Sequence, residues 1–219
     1  NRFVRHFNVL CFPDLTDGGM KSIFSTILKD FFIRNEFGEE LGPAAALSDN
    51  LTSATISVYR QVLAQMRPVP GRDHYTYNLR DVSRVIQGIA SISPKKFDTM
   101  HSVLRLWVHE CTRVFSDRLI CKADRAWFRE TAVRSSMKEV FDEELDTHVR
   151  ATERLLFGDL LSSPVAEDRL YECITDVDAL KKTCENFLED YNLEFPNRHM
   201  NLVLFGDALE HVIIISRVL

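Results

Sequence analysis

Long apolar stripes at helical spacing constrain this chain more than any other feature. Met20, Ile23, Phe24, Ile27, Leu28, Phe31 and Phe32 recur at i, i+3 and i+4, which places them on one face of a helix. Leu15-Thr-Asp17 supplies a start signal, and Gly18 and Gly19 fall in the first turn, where they cost least. A second stripe, Leu51, Ala54, Val58, Val62, Leu63 and Met66, predicts a helix capped by Ser48 or Asp49. A third runs from about Thr99 to Leu119 with Val103, Leu104, Trp107, Val108, Cys111, Val114 and Phe115 on one side. Further helices are expected at Ala123–Phe141 (a short pair), Asp178–Asn192 and Leu204–Val218. The fold class is therefore mainly α.

The exceptions are few. Phe7-Asn-Val-Leu-Cys-Phe12 is apolar, rich in strand formers and closed by Pro13, and it reads as a buried strand. Arg67-Pro-Val-Pro-Gly-Arg-Asp-His74 cannot continue a helix and must be a loop. Asn78, with Asp81 three residues on, has the pattern of a helix N-cap followed by Val82, Val85, Ile86 and Ile89. Residues 142–170 are polar and irregular, with a short helix expected around Thr152–Leu160 and small strands later in the chain.

Composition narrows the function classes. A formal charge of -5 gives no general attraction for nucleic acid or anionic membranes. No apolar run approaches the roughly 18 residues that a bilayer requires. The five cysteines, Cys11, Cys111, Cys121, Cys173 and Cys184, form no CxxC pair, so zinc and a disulfide framework are not indicated and a reducing compartment fits. His74, His109 and His211 are isolated, and Trp107 and Trp127 read as packing anchors. The charged run Lys138–Asp146 reads as a solvated helix face with no metal site. There is no GxxxxGK[ST] loop and no apolar run ending in Asp-Glu, so the chain lacks the parts that cradle phosphates and hold magnesium.

Three blocks nevertheless resemble one family. Arg2-Phe-Val-Arg-His-Phe-Asn-Val9 is similar to the end of an AAA+ large subdomain, and dynein heavy chains read R-F-x-R-H-F-N there. His74-Tyr-Thr-Tyr-Asn-Leu-Arg-Asp-Val82, with Val85-Ile-Gln-Gly-Ile89 and Leu104–Leu119, resembles the lid of the third dynein AAA+ module. Met200-Asn-Leu-Val-Leu-Phe-Gly-Asp-Ala-Leu-Glu-His211, continuing to Arg217, looks like the opening of the fourth module. The Asn-Leu-Arg-Asp form with His109-Glu-Cys is closer to axonemal than to cytoplasmic dyneins.

The resemblance implies an AAA+ helical lid with one residual core strand at its front. It divides the chain into the end of the third large subdomain (1–40), the third lid (41–165), and a linker with the first segment of the fourth module (166–219). It implies a place in an ATP-driven microtubule motor of the cytoplasmic cytoskeleton and the ciliary or flagellar axoneme. ATP or ADP, with magnesium, would be bound by the full motor and not completed within this piece. Partners would be the neighbouring AAA+ modules. Microtubules and intermediate and light chains would bind elsewhere on the heavy chain, and no nucleic acid or membrane partner is expected.

Residue by residue, the resemblance implies that Arg2 is an arginine finger acting on the neighbouring site, with Arg5 as runner-up. A guanidinium suits this role because it is permanently charged and forks onto phosphate oxygens. Arg80 falls at the sensor 2 position, near the start of a lid helix, where amide dipoles favour an anion, and Leu79 would cover adenine or ribose. Leu202, Val203 and Leu204 would line the adenine pocket of the fourth module. Taken without the resemblance, the arginines are surface ion-pair formers, Arg80 pairing with Asp81 or Glu110, and the leucines and valine are core residues. The competing function is a stand-alone helical interaction module. A phosphate-binding loop within about 20 residues after Leu219 would separate the two readings. Another AAA+ protein with a similar lid fits less well, since single-module proteins have nothing like the Met200–Phe205 block.

Overall fold

The computed structural model describes residues 2–11, 15–150, 155–161 and 169–218, apart from the side chains of Glu39 and Val218. Helices dominate. Helix α1 spans Asp17–Arg34, and the Thr16 hydroxyl caps it by accepting from the Gly19 amide at 3.2 Å. It buries Met20, Phe24, Leu28 and Phe32. The buried stripe is narrower than the sequence predicts, because Ile23 and Ile27 are each 49% exposed. Helix α2, Ala44–Gln65, packs along α1. It begins seven residues before Leu51, with Pro43 at the N-cap, so Ser48 and Asp49 are interior and not caps. The Ser48 hydroxyl instead donates to the Ala44 carbonyl at 2.6 Å.

The loop of residues 67–74 follows, turning at Gly71 with φ +90°. It is pinned by Arg72, whose guanidinium lies 2.8 Å from Asp124, the same carboxylate that accepts from the Tyr75 hydroxyl at 3.0 Å. Helix α3 covers Leu79–Ile89, and α4 covers Met100–Cys111 before loosening into a π turn at Thr112–Ser116. A second π turn, Phe128–Val133, joins α5, Lys122–Trp127, to α6, Arg134–Phe141. The expected pair of helices over 123–141 is thus one rod with a widened middle. A four-residue helix, α7, spans Leu145–His148.

Strands β1, Leu156–Gly158, and β2, Glu172–Ile174, pair antiparallel with Leu156 opposite Ile174. The helix expected around Thr152–Leu160 is absent over 156–158, where β1 runs, and residues 152–154 lie outside the described residues. Helices α8, Val177–Glu194, and α9, Gly206–Val218, complete the order. Two apolar cores result. The larger joins α1 to α6 around Leu51, Val85, Leu104, Trp107 and Phe115. The smaller lies under the hairpin, α8 and α9, with Leu156, Ile174, Leu180, Leu209 and Ile213.

The strand expected at Phe7–Phe12 does not form over its described part. Residues 8–11 have no strand partner, and Phe7, Val9 and Leu10 are 61%, 67% and 77% exposed. A lone strand has neither ladder bonds nor a face to bury. Phe12 and Pro13 lie outside the described residues.

All five cysteines are free thiols, and Cys111 and Cys184 are buried. Trp107 is fully buried and Trp127 packs against the larger core. Among the described residues no cluster could hold a metal ion, and no helix is long and apolar enough to cross a membrane. In the charged run, Lys138 reaches Asp142 and Glu144, and Asp146 pairs with Arg134, all near the surface.

Candidate functional site at the start of helix α3

Asn78 sets the geometry. Its side-chain oxygen accepts from the Arg80 amide at 2.9 Å, and its own amide donates to Asp81 Oδ2 at 3.0 Å, closing a capping box. The box fixes the first turn of α3 and holds Leu79 and Arg80 on the outside, with Leu79 37% exposed. Behind them Asp81 is 3% exposed. Arg118 meets its carboxylate at 2.8 Å, donates also to the Thr76 and Val114 carbonyls, and stacks over the Tyr77 ring at 4.7 Å. Burial pushes the Tyr77 hydroxyl up to about 12, so it stays protonated and donates to the Phe115 carbonyl at 3.1 Å.

Arg80 is exposed and has no ion pair among the described residues. Both carboxylates offered to it by the sequence are taken. Asp81 serves Arg118 and, at 3.5 Å, Arg84. Glu110 serves Arg113 through two bonds of 3.0 and 2.7 Å. Among the described residues, Arg80 therefore pairs with neither of them. A permanently charged group stands unpaired at a helix start, beside an exposed leucine.

The other residues singled out in the sequence lie on other elements. Arg2 is exposed, and Arg5 sits in a single turn, Val4–His6, where its Nε donates to His6 Nε2 at 3.2 Å. Leu202, Val203 and Leu204 form an extended stretch before α9. Leu202 and Leu204 face an apolar cavity of about 290 Å³ shared with α8 and α9. Val203 does not line it and is 82% exposed. The Leu204 side chain is buried in the smaller core.

The sequence reading missed a buried charged centre. Glu110 is fully buried, with Tyr171 donating to it at 3.3 Å and Arg217 of α9 4.0 Å away. A Cβ at Gly88 would collide with the Glu110 carboxylate, so glycine is required where α3 crosses it. A glutamate within the apolar stripe of α4 was the available signal. His101 and His148 were also missed, with their Nδ1 atoms 2.9 Å apart.

A family model described as "Dynein heavy chain, ATPase lid domain" matches residues 27–125. The whole chain is also similar to curated dynein heavy chains. It is 38% identical to "Dynein axonemal heavy chain 1" of Mus musculus, 36% to "Dynein axonemal heavy chain 12" of Mus musculus and 36% to "Dynein axonemal heavy chain 10" of Homo sapiens. The chain belongs to the dynein heavy chain family. In these relatives it spans only 5% to 7% of the length. The lid match covers part of α1, α2, α3, α4 and the start of α5, and so includes the capping box and Arg80. Similarity along the whole chain argues against an unrelated interaction module. The dynein lid is thus a helical body whose α3 presents its first turn outward.

Two acid–base groups, His109 within α4 and Asp117 just after its π turn, give this dynein lid a testable pH response. Burial pushes His109 down to about 4, with the Glu110 charge opposing, and its Nδ1 donates to the Leu155 carbonyl at 3.1 Å. A histidine held neutral loses the fold stability as the unfolded chain protonates, so the loss begins below about pH 6.5 and grows toward the folded value. Asp117 is raised to about 6 by burial and then by Glu210, so it works in the opposite direction below about pH 6, over most of that window. His109→Gln is therefore expected to remove the acid-dependent loss. Melting followed at about pH 7 and pH 5 should show a larger fall for the wild type than for the variant, and equal falls would refute it.

Proposed function

We propose that this chain is the lid of the third AAA+ module of an axonemal dynein heavy chain, together with the segments flanking it. Residues 1–40 end the large subdomain, 41–165 form the lid, and 166–219 form the linker and the first segment of the fourth module. The motor ring would be that of an ATP-driven, microtubule-based motor of cilia or flagella. Arg80 is the sensor 2 residue. The exposed Arg80 guanidinium, without an ion pair among the described residues and set at the start of α3 by the Asn78–Asp81 box, is the single observation that carries this reading.

ATP supplies a γ-phosphate whose charge changes on hydrolysis, and it would be held, with magnesium, by polypeptide outside this chain. The fit is partial and specific. Arg80 offers forked donors to phosphate oxygens, Leu79 offers an apolar cover, and the stretch Leu202–Leu204 offers an apolar wall for adenine in the following module. Arg2, or Arg5 in its place, would reach a phosphate held by the preceding neighbour. The chain contributes recognition and leverage: when Arg80 finds or loses a phosphate, α3 moves as a unit with α4 because Val85, Ile86, Leu104 and Trp107 share one core. Axonemal relatives at 36% to 38% identity support the axonemal assignment.

Arg80→Ala in the full heavy chain tests the reading. Since the side chain is exposed and unpaired, stability should stay within about 0.5 kcal/mol. The dependence of microtubule gliding velocity on nucleotide in the third site should weaken. A variant with unchanged velocity and unchanged nucleotide response would count against sensor 2.

A further inference from the structure

A second cationic cavity lies further along α3. Arg84, Gln87 and Gly88 of α3, Ser91 in the turn that follows it, Arg113 of the π turn after α4 and Arg217 of α9 enclose about 260 Å³. Among the described residues, three guanidiniums line this space and no carboxylate does. Two acids beside it, Glu110 and Asp81, are already engaged. Glu110, fully buried, accepts two bonds from Arg113 on Oε2 and one from Tyr171 on Oε1. Asp81 is bound by Arg118 at 2.8 Å and lies 3.5 Å from Arg84. Asp117 and Glu210 line an adjacent cavity that also touches Arg113. Among the described residues, Glu110 and Asp81 pair with four guanidiniums, those of Arg84, Arg113, Arg118 and Arg217, while Asp159 lines a neighbouring cavity that Arg217 also touches.

Arg217 is the most poorly satisfied. Its Nη2 donates to the Ser91 hydroxyl at 2.5 Å and its plane lies 4.6 Å from the Tyr171 ring centre. Its Nε is buried without an acceptor, because Glu110 at 4.0 Å is beyond hydrogen-bond reach. A buried donor left unpaired is costly, and clustered guanidiniums repel one another. An added oxyanion would relieve both penalties.

We propose that this cavity is an anion site separate from Arg80, taking a tetrahedral phosphate-type oxyanion between Arg84, Arg113 and Arg217, with the Ser91 hydroxyl as a further ligand. Guanidiniums match such oxygens in charge and geometry. The anion is either free phosphate or the terminal phosphate of a nucleotide. Once bound, it ties α9 to α3 and so fastens the segment that follows the lid onto the lid itself. The site does not depend on Arg80 meeting a nucleotide.

Hydrogen exchange of α9 amides in the full heavy chain tests this. Inorganic phosphate, ADP and chloride would be compared at equal ionic strength in the wild type and in Arg84→Gln, Arg217→Gln and Arg80→Ala. Phosphate at ten times its dissociation constant should slow α9 exchange about tenfold in the wild type. The same slowing should appear in Arg80→Ala and vanish in Arg84→Gln and Arg217→Gln. Arg84→Gln is the safer control for folding, since that side chain is 54% exposed. Protection by ADP alone, also lost in Arg84→Gln, would support the site with a nucleotide as the source. Overturning results are no slowing by either anion, slowing that persists in Arg84→Gln, or slowing lost in Arg80→Ala.

Discussion

Trp107→Ala is expected to destabilise the lid by about 3–5 kcal/mol. The indole is fully buried at the centre of α4. Its Nε1–H donates to Thr55 Oγ1 at 3.0 Å, and Thr55 donates in turn to the Leu51 carbonyl at 2.7 Å. The ring also meets Phe141 of α6 at 6.0 Å between centroids. Alanine would open a void where α2, α4 and α6 meet. Amide exchange along α2 and α4 should then quicken by roughly two to three orders of magnitude, since each 1.4 kcal/mol is tenfold. A change below tenfold would mean that the three helices are not joined at this residue.

Glu110→Ala is expected to cost a similar amount, about 3–5 kcal/mol, by a different route. The carboxylate is fully buried and holds Arg113 through two bonds, Tyr171 through one and Arg217 at 4.0 Å. Removing it leaves two guanidiniums with little compensation, and burial already pushes the Tyr171 hydroxyl well above its ordinary value. Glu110→Gln keeps the shape and some of the hydrogen bonds and should lose less. The position of the effect is diagnostic. Exchange should rise in α9 as well as in α4, because Arg217 bridges them. Faster exchange in α4 with α9 unchanged would show that α9 is held by apolar contacts alone.

Much of the helical frame was legible because it is written locally. Asn78 and Asp81 are three residues apart, and their capping box forms as the pattern demands. The double proline and Gly71 make the loop of residues 67–74 unavoidable. Failures occur where the deciding partner is distant or missing. The Phe7–Phe12 segment has the composition of a strand, but its described residues find no neighbouring strand. The α1 stripe is continuous in sequence, yet only one side of it meets α2, so Ile23 and Ile27 remain exposed. The π turns at 112–116 and 128–133 add a residue per turn without breaking the apolar spacing, so periodicity misses them.

The site shows the same division. The position of Arg80 followed from the capping pattern. Its lack of an ion pair did not, because that depends on Arg118 and Arg113 occupying Asp81 and Glu110. Arg217 and Ser91 are separated by 126 positions, and no local pattern predicts their meeting. Glu110 in sequence is a charged residue beside an apolar stripe, and only the fold reveals the three partners that surround it.

The most direct test is a structure of the intact motor ring with ATP or a non-hydrolysable analogue in the module that this lid covers. The Arg80 guanidinium should then lie within about 3 Å of a phosphate oxygen, the ordinary distance of a charge-assisted hydrogen bond. An Arg80 that remains in solvent, away from every nucleotide in each nucleotide state, would contradict it.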